Sequence, residues 1–270
     1  MFDTHCHLTS KAIEPRVSQV LTAARQAGVD NMITVGITPD DSIRAAALVA
    51  EQSAEPIVPG VNLYATAGIH PHEAARYKND AAALEAIRQT LRKPGIVAIG
   101  EMGLDCHYPE PSVDDQKVLF EAQLALSGES EFAHLPIVIH NREATGETLA
   151  MIRTSGLPGE RFVFHCYTGD ENEIEPILAI GAVVSFTGIV TFRNASSIAA
   201  ASDRVPDDRL LIETDSPYLT PEPHRKVRPN EPKYVVHVAE FLAERRGMNV
   251  ESFVKQVDAN ARQFFRITQG

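Results

Sequence analysis

Short apolar runs alternate along the chain with longer stretches of helical period. The first run ends at His5. The others span Asn31–Gly36 (N-M-I-T-V-G), Leu63–Ile69, Ile96–Gly100, Ile137–Ile139, Phe162–Phe164, Ala182–Phe186 and Leu210–Ile212, several of them rich in Val and Ile. Bounded runs of this length read as buried strands. Between them, Glu14–Ala27 places Val17, Val20, Leu21 and Ala24 on one helical face and stops at Gly28. Asp40–Ala50, Ala81–Leu91, Asp114–Leu126, Glu171–Ile180 and Asn194–Ala201 behave similarly, and two longer amphipathic stretches, Tyr234–Arg246 and Val250–Phe265, close the chain. Alternating strand and helix predicts an α/β fold with a parallel sheet. Eight such repeats predict closure into one (β/α)8 barrel, a TIM barrel, as a single domain over residues 1–270, which is near the usual length for that fold. The proline-containing, basic stretch Pro217–Pro232 reads as a long loop after the eighth strand.

The histidines and carboxylates gain meaning from where these strands end. His5 and His7 close the first (D-T-H-C-H), and residues two apart on an extended chain share a face. Glu101 closes the fourth, His140 the fifth, His165 the sixth, and Asp215 falls just beyond the eighth. Strand C-termini converge on one mouth of a parallel barrel, the face that holds barrel active sites. Four imidazoles and two carboxylates there form a chelating set suited to zinc, manganese or iron, or to magnesium where carboxylate and water dominate. Glu101 lies between the two histidine pairs in barrel order and is the expected bridge between two cations. His70 and His72 (G-I-H-P-H) follow the third strand and are candidate substrate contacts. Asp105 is a candidate for orienting a ligand from behind.

Charge narrows the partner. The formal net charge is −11, so a nucleic-acid substrate needs local help from cations or a confined basic patch. Arg142, close behind His140, and Arg225, in the basic stretch beyond Asp215, are the candidate phosphate contacts. Three cysteines without Cys-x-x-Cys spacing give neither a disulfide framework nor a structural zinc site. With no basic leader and no apolar run long enough for a membrane span, a cytoplasmic protein is expected. No feature calls for a protein partner, and a monomer is expected. No Gly-x-Ser-x-Gly elbow and no Gly-x-Gly-x-x-Gly after the first strand are present, which disfavours serine hydrolase and dinucleotide chemistry.

D-T-H-C-H-L, G-I-H-P-H, I-G-E-M-G-L-D, V-I-H-N-R-E-A, F-H-C-Y-T-G and L-I-E-T-D-S-P-Y-L-T-P occur in that order, followed by N-E-P-K-Y-V and N-A-R-Q-F-F. This ordered set resembles the TatD family of metal-dependent deoxyribonucleases, among the amidohydrolase-like barrels, essentially end to end. The resemblance implies a TIM barrel that hydrolyses phosphodiester bonds in DNA, or RNA, by a metal-activated water. It implies ligand roles for His5, His7, Glu101, His140, His165 and Asp215, the six positions reached from the strand ends. The expected scheme has one cation on His5, His7, Asp215 and Glu101 and a second on Glu101, His140 and His165. Asp215 takes the proton from water, so Asp215 and Glu101 carry the catalysis. The chain departs from the family pattern at Ser127–Leu135, at Cys106–His107, where aromatic residues are common, and at Arg225–Pro229. Two other readings share the site: an amidase, lactonase or deacylase, and a metal-stabilised binding scaffold without catalysis. One barrel supports many chemistries, but the basic loop favours phosphate, and a structural site has little need of an open mouth.

Overall fold

The computed structural model describes residues 1–268. Eight strands run β1 (Phe2–Cys6), β2 (Asn31–Val35), β3 (Asn62–Ala67), β4 (Ile96–Asp105), β5 (Ile137–Arg142), β6 (Phe162–Phe164), β7 (Val183–Phe186) and β8 (Leu210–Ile212). All neighbouring pairs are parallel and follow chain order. The sheet closes between β1 and the segment after β8. A parallel bridge joins Cys6 to Ser216, the His7 amide donates to the Ser216 carbonyl at 2.7 Å, and the Asp215 amide donates to the His5 carbonyl at 2.9 Å. The seam of the barrel is thus drawn shut at its mouth.

The helices are α1 (Val17–Gln26), α2 (Pro39–Ala54), α3 (Ala74–Tyr77), α4 (Ala81–Leu91), α5 (Val113–Ser127), α6 (Thr145–Ser155), α7 (Glu171–Ala179), α8 (Ser196–Arg204), α9 (Val235–Arg245) and α10 (Val250–Phe264). Side-chain caps start several of them just past the strands. The Thr38 hydroxyl accepts from the Asp41 amide, that of Ser112 from Asp115, and Asp170 with Glu173 forms a capping box. Each cap satisfies amides that the first helical turn leaves without partners. Among the described residues no helix is long and apolar enough to cross a membrane.

Period-two alternation divides the apolar side chains between two compartments. Phe2, Ile33, Val35, Ala98, Val138, Val163, Val183 and Leu211 pack together inside the barrel with Ala261 and Phe265. Ile99, Ile137, Ile139, Phe164, Val184 and Ile212 face the other way, into the layer under the helices. Helix α10 covers the strand N-termini, where its Asp258 accepts the Phe2 amide at 2.8 Å. One end is therefore plugged with hydrocarbon, and the polar strand ends collect at the other.

Of three bulges in the sheet, the third being at Ile96–Ala98 in β4, two set what points into that mouth. In β1 the pairing steps from Asp3–Met32 to Cys6–Thr34, and in β4 from Ile99–Ile137 to Met102–Ile139. Each inserts one extra residue, which reverses the facing of everything after it. Ala98 faces inward, so an unbroken strand would bring Gly100 inward next; the extra residue brings Glu101 instead.

The sequence reading ended the fourth strand at Gly100 and the fifth at Ile139. Both run on, pairing Gly103 with His140 and Asp105 with Arg142. Gly103 has φ of 142°, and a Cβ there would lie 2.0 Å from the His140 carbonyl oxygen. Helix α6 was not anticipated. It has no side-chain cap, opens on Thr-Gly, and buries only Thr148, Leu149 and Ile152. The Gly103→Ala variant is expected to lower the thermal midpoint by roughly 5–10 °C, from a backbone penalty of about 2–3 kcal/mol. A melting curve matching the parent would show that β4 and β5 need no such close approach.

Candidate functional site

Glu101 sits at the centre of the mouth and is buried to 2% exposure. Its Oε1 lies 2.7 Å from His165 Nε2, 2.8 Å from His140 Nδ1 and 3.3 Å from His70 Nε2, while Oε2 lies 3.4 Å from His5 Nε2. Asp215 forms the second focus, with Oδ1 3.2 Å from His7 Nε2 and 3.8 Å from His5 Nε2. Three overlapping groups result: His5, His7 and Asp215; His5, Glu101 and His165; His70, Glu101 and His140. Within each, the donor atoms lie within 4.8 Å of one another. All six residues expected as ligands are brought together. His70 lies deeper than a substrate contact at the rim would, against both Glu101 and His140.

The outer ring nitrogens are held from behind. The Nδ1 of His7 faces the Val35 carbonyl at 3.2 Å, and the Nε2 of His140 faces Asp105 Oδ2 at 3.0 Å. His165 Nδ1 makes no hydrogen bond but lies 3.4 Å from Glu213 Oε1, an electrostatic contact. Such contacts fix ring orientation and leave the inner nitrogen aimed at the centre. Asp105 also takes His72 Nε2 at 2.9 Å, so His72 reaches the site through Asp105.

Sequence reasoning missed Glu213 and Asp3. Glu213 accepts the Cys166 amide at 2.6 Å, and Asp3 accepts the amide and hydroxyl of Thr214 at 2.9 and 2.6 Å. Both stand in the quoted motifs, two residues before a ligand candidate. That spacing was the available signal, since it keeps each of them within one turn of chain from a ligand candidate. Asp215 and Cys166 adopt left-handed backbones, with φ of 53° and 47°. Such conformations in residues other than glycine persist where the surroundings impose them.

Carboxylates and imidazoles offset the cost of burial in one another. Burial drives the Glu101 carboxyl upward, but His165 and His70, with hydrogen bonds from His140 and His165, take it well below the ordinary carboxylate range. Burial likewise opposes ionisation of Asp215 and Asp105, yet His7 lowers the first, and His140 and His72 lower the second. The converse holds for the rings. Burial disfavours their charged forms, but Glu101 and Glu213 raise His165 well above its usual value, Asp105 and Glu101 raise His140, and Asp215 raises His7. His70 is pushed down to about 4 and His5 is also lowered, burial leading in both, with repulsion from His165 second for His5. Burial raises Asp3 to about 8.

These residues fit a divalent cation. Both nitrogens of the buried His5 ring lack a hydrogen-bond partner. The His5 and His165 rings stack with centroids 3.9 Å apart, an unfavourable pairing if both carried protons. Nitrogen and carboxylate oxygen together suit zinc, manganese and related ions.

Arg142 and Arg225 lie outside this cluster. The Arg142 guanidinium stands 5.3 Å from the Tyr108 ring centroid, and that of Arg225 stands 3.9 Å from the Phe192 centroid. Among the described residues neither has an ion-pair partner.

The family model described as TatD related DNase matches residues 2–266. The chain is 36% identical to the uncharacterized metal-dependent hydrolase YabD of Bacillus subtilis over 99% of both chains. It is 38% identical to the 3'-5' ssDNA/RNA exonuclease TatD of Edwardsiella piscicida, over 99% of this chain and 100% of that one. The crystal structure of YJJV, a TatD homologue from Escherichia coli K12, superposes with a TM-score of 0.88 at 26% identity, covering 99% of this chain and 98% of the other.

Cation binding is expected to release protons at neutral pH. Neighbouring carboxylates raise the pKa of His165, His140 and His7, so protons compete with a cation for these ring nitrogens. Affinity should therefore rise with pH as these rings lose their protons. Calorimetry in buffers of different ionisation enthalpy checks this; an enthalpy independent of buffer would contradict it.

Proposed function

The chain belongs to the TatD-related DNase family of metal-dependent hydrolases, and on that premise we propose that it is an exonuclease cleaving phosphodiester bonds in single-stranded DNA. The observation that carries this reading is the buried Glu101 carboxylate shared by imidazoles from separate strands, beside the His5, His7 and Asp215 group. A relative of 38% identity is named a 3'-5' ssDNA/RNA exonuclease, which supports a nucleic-acid substrate and leaves RNA as a second one.

We assign two divalent cations, magnesium, manganese or zinc, to the mouth. His5, His7 and Asp215 would hold the first, His140 and His165 the second, and Glu101 would serve both. When bound, such cations lower the pKa of a water by several units and neutralise charge developing on phosphate oxygens. The residues of the chain do the rest. Asp215, at the rim between His7 and the β1 seam, orients the attacking water and takes its proton. Asp105, Glu213 and the Val35 carbonyl keep the imidazoles aimed inward, so little reorganisation is needed during the reaction. Arg142 and Arg225 stand free of carboxylates in a chain of net charge −11, which suits them to flanking phosphates. His72, partly exposed and tied to Asp105, contacts the substrate from the β3 side. Three free cysteines favour the cytoplasm, and a monomer is the simplest assembly for a site built from one chain.

The test is degradation of an end-labelled single-stranded oligonucleotide by chelator-stripped protein, with magnesium, manganese and zinc restored separately. Stepwise shortening that requires added metal is expected, with His140→Ala and Glu101→Ala each reducing it more than about 100-fold, in the range found for disrupted catalytic groups. Glu101→Ala should also retain less metal. Cleavage of amide or ester substrates with none of the oligonucleotide would replace the nuclease reading.

A further inference from the structure

Tyr108 lies in the turn that follows β4 and is 48% exposed, one of few large hydrophobic side chains so open to solvent. The aromatic rings of the mouth lead to it. His165 lies 5.6 Å from His140, His140 lies 6.1 Å from His72, and His72 lies 5.5 Å from Tyr108, centroid to centroid. His107 meets the same tyrosine ring edge-on at 4.8 Å and is itself tied to Glu143 at 2.6 Å, so two imidazoles brace it. Arg142, from the end of β5, places its guanidinium 5.3 Å from the ring centroid.

An apolar ring held exposed in an acidic protein, beside an arginine without a carboxylate partner, matches the two chemistries of a nucleotide. Bases stack on aromatic faces whatever their sequence, and an arginine without a carboxylate partner keeps its N–H groups for phosphate. We infer that Tyr108 and Arg142 form a nucleoside subsite beside the metal cluster: Tyr108 stacks one unpaired base, and Arg142 holds the phosphate attached to it. A base inside a duplex is covered on both faces, so the ring takes such a base only from an unpaired strand. The inference rests on the nuclease reading and adds the element that recognises the base.

The test is a two-by-two comparison on an end-labelled oligonucleotide with added metal. One axis is Tyr108→Ala; the other is replacement of one base near the labelled end by a base-free tetrahydrofuran residue, moved through the terminal positions. On the intact strand Tyr108→Ala should raise KM about tenfold, within the range of one base–aromatic stack, with a smaller change in kcat. At one position the base-free residue should weaken the parent enzyme by a similar factor and leave Tyr108→Ala no worse than on the intact strand. Tyr108→Phe, which keeps the ring, should retain the parent KM. Two losses that multiply at every position would show Tyr108 acting on the fold or on another group, and would overturn the inference while the nuclease reading stood. An unchanged KM in Tyr108→Ala would do the same. Failure of the parent enzyme to shorten any oligonucleotide with any cation would defeat both.

Discussion

A carboxylate taken out of water inside a barrel must be matched by positive charge, because the effective desolvation penalty of an ion is several kcal/mol. Glu101 is such a carboxylate, and much of the mouth is arranged around it. The bulge in β4 turns it inward. Gly103 lets β4 and β5 run close enough for Asp105 to reach His140. The β1 bulge and the closing bonds to Asp215 and Ser216 carry His5 and His7 to the same centre. The same carboxylates raise the pKa of His165, His140 and His7, so rings and carboxylates favour charge in one another. Stability of the mouth and affinity for cations are therefore two aspects of one electrostatic demand.

The barrel was legible because each strand is a short apolar run with its own boundary. The candidate ligands were legible because each stands where such a run stops. Pairing among them was not. Strand order places Glu101 between the β1 and the β5–β6 histidines, but nothing in spacing alone shows that His70 approaches Glu101 as nearly as His5 does. That follows from the turn after β3, where the His70 amide bonds the Ile37 carbonyl. The supporting carboxylates Glu213 and Asp3 were overlooked for a related reason. Their two-residue spacing from a ligand candidate marks them for attention, but the role exists only once the opposite strand is in place.

Helix α6 went unread because its start lacks a capping side chain and its buried face is narrow. Its position is set by packing between its neighbours, a tertiary effect that local pattern does not encode. The same applies to Tyr108. Within G-L-D-C-H-Y it is one aromatic among polar neighbours, and its meaning comes from His72 on the β3 side and Arg142 on the β5 side. The fold is thus written in hydrophobic period, the metal candidates at the ends of apolar runs, and the proposed substrate face in contacts between loops far apart in sequence.

The central claim is that Glu101 organises a centre for two cations. Crystals soaked in manganese and measured near its absorption edge test it most directly. Two anomalous peaks are predicted, both in contact with Glu101, one also touching His5, His7 and Asp215 and the other His140 and His165. A single peak remote from Glu101, or none at saturating manganese, would contradict the account.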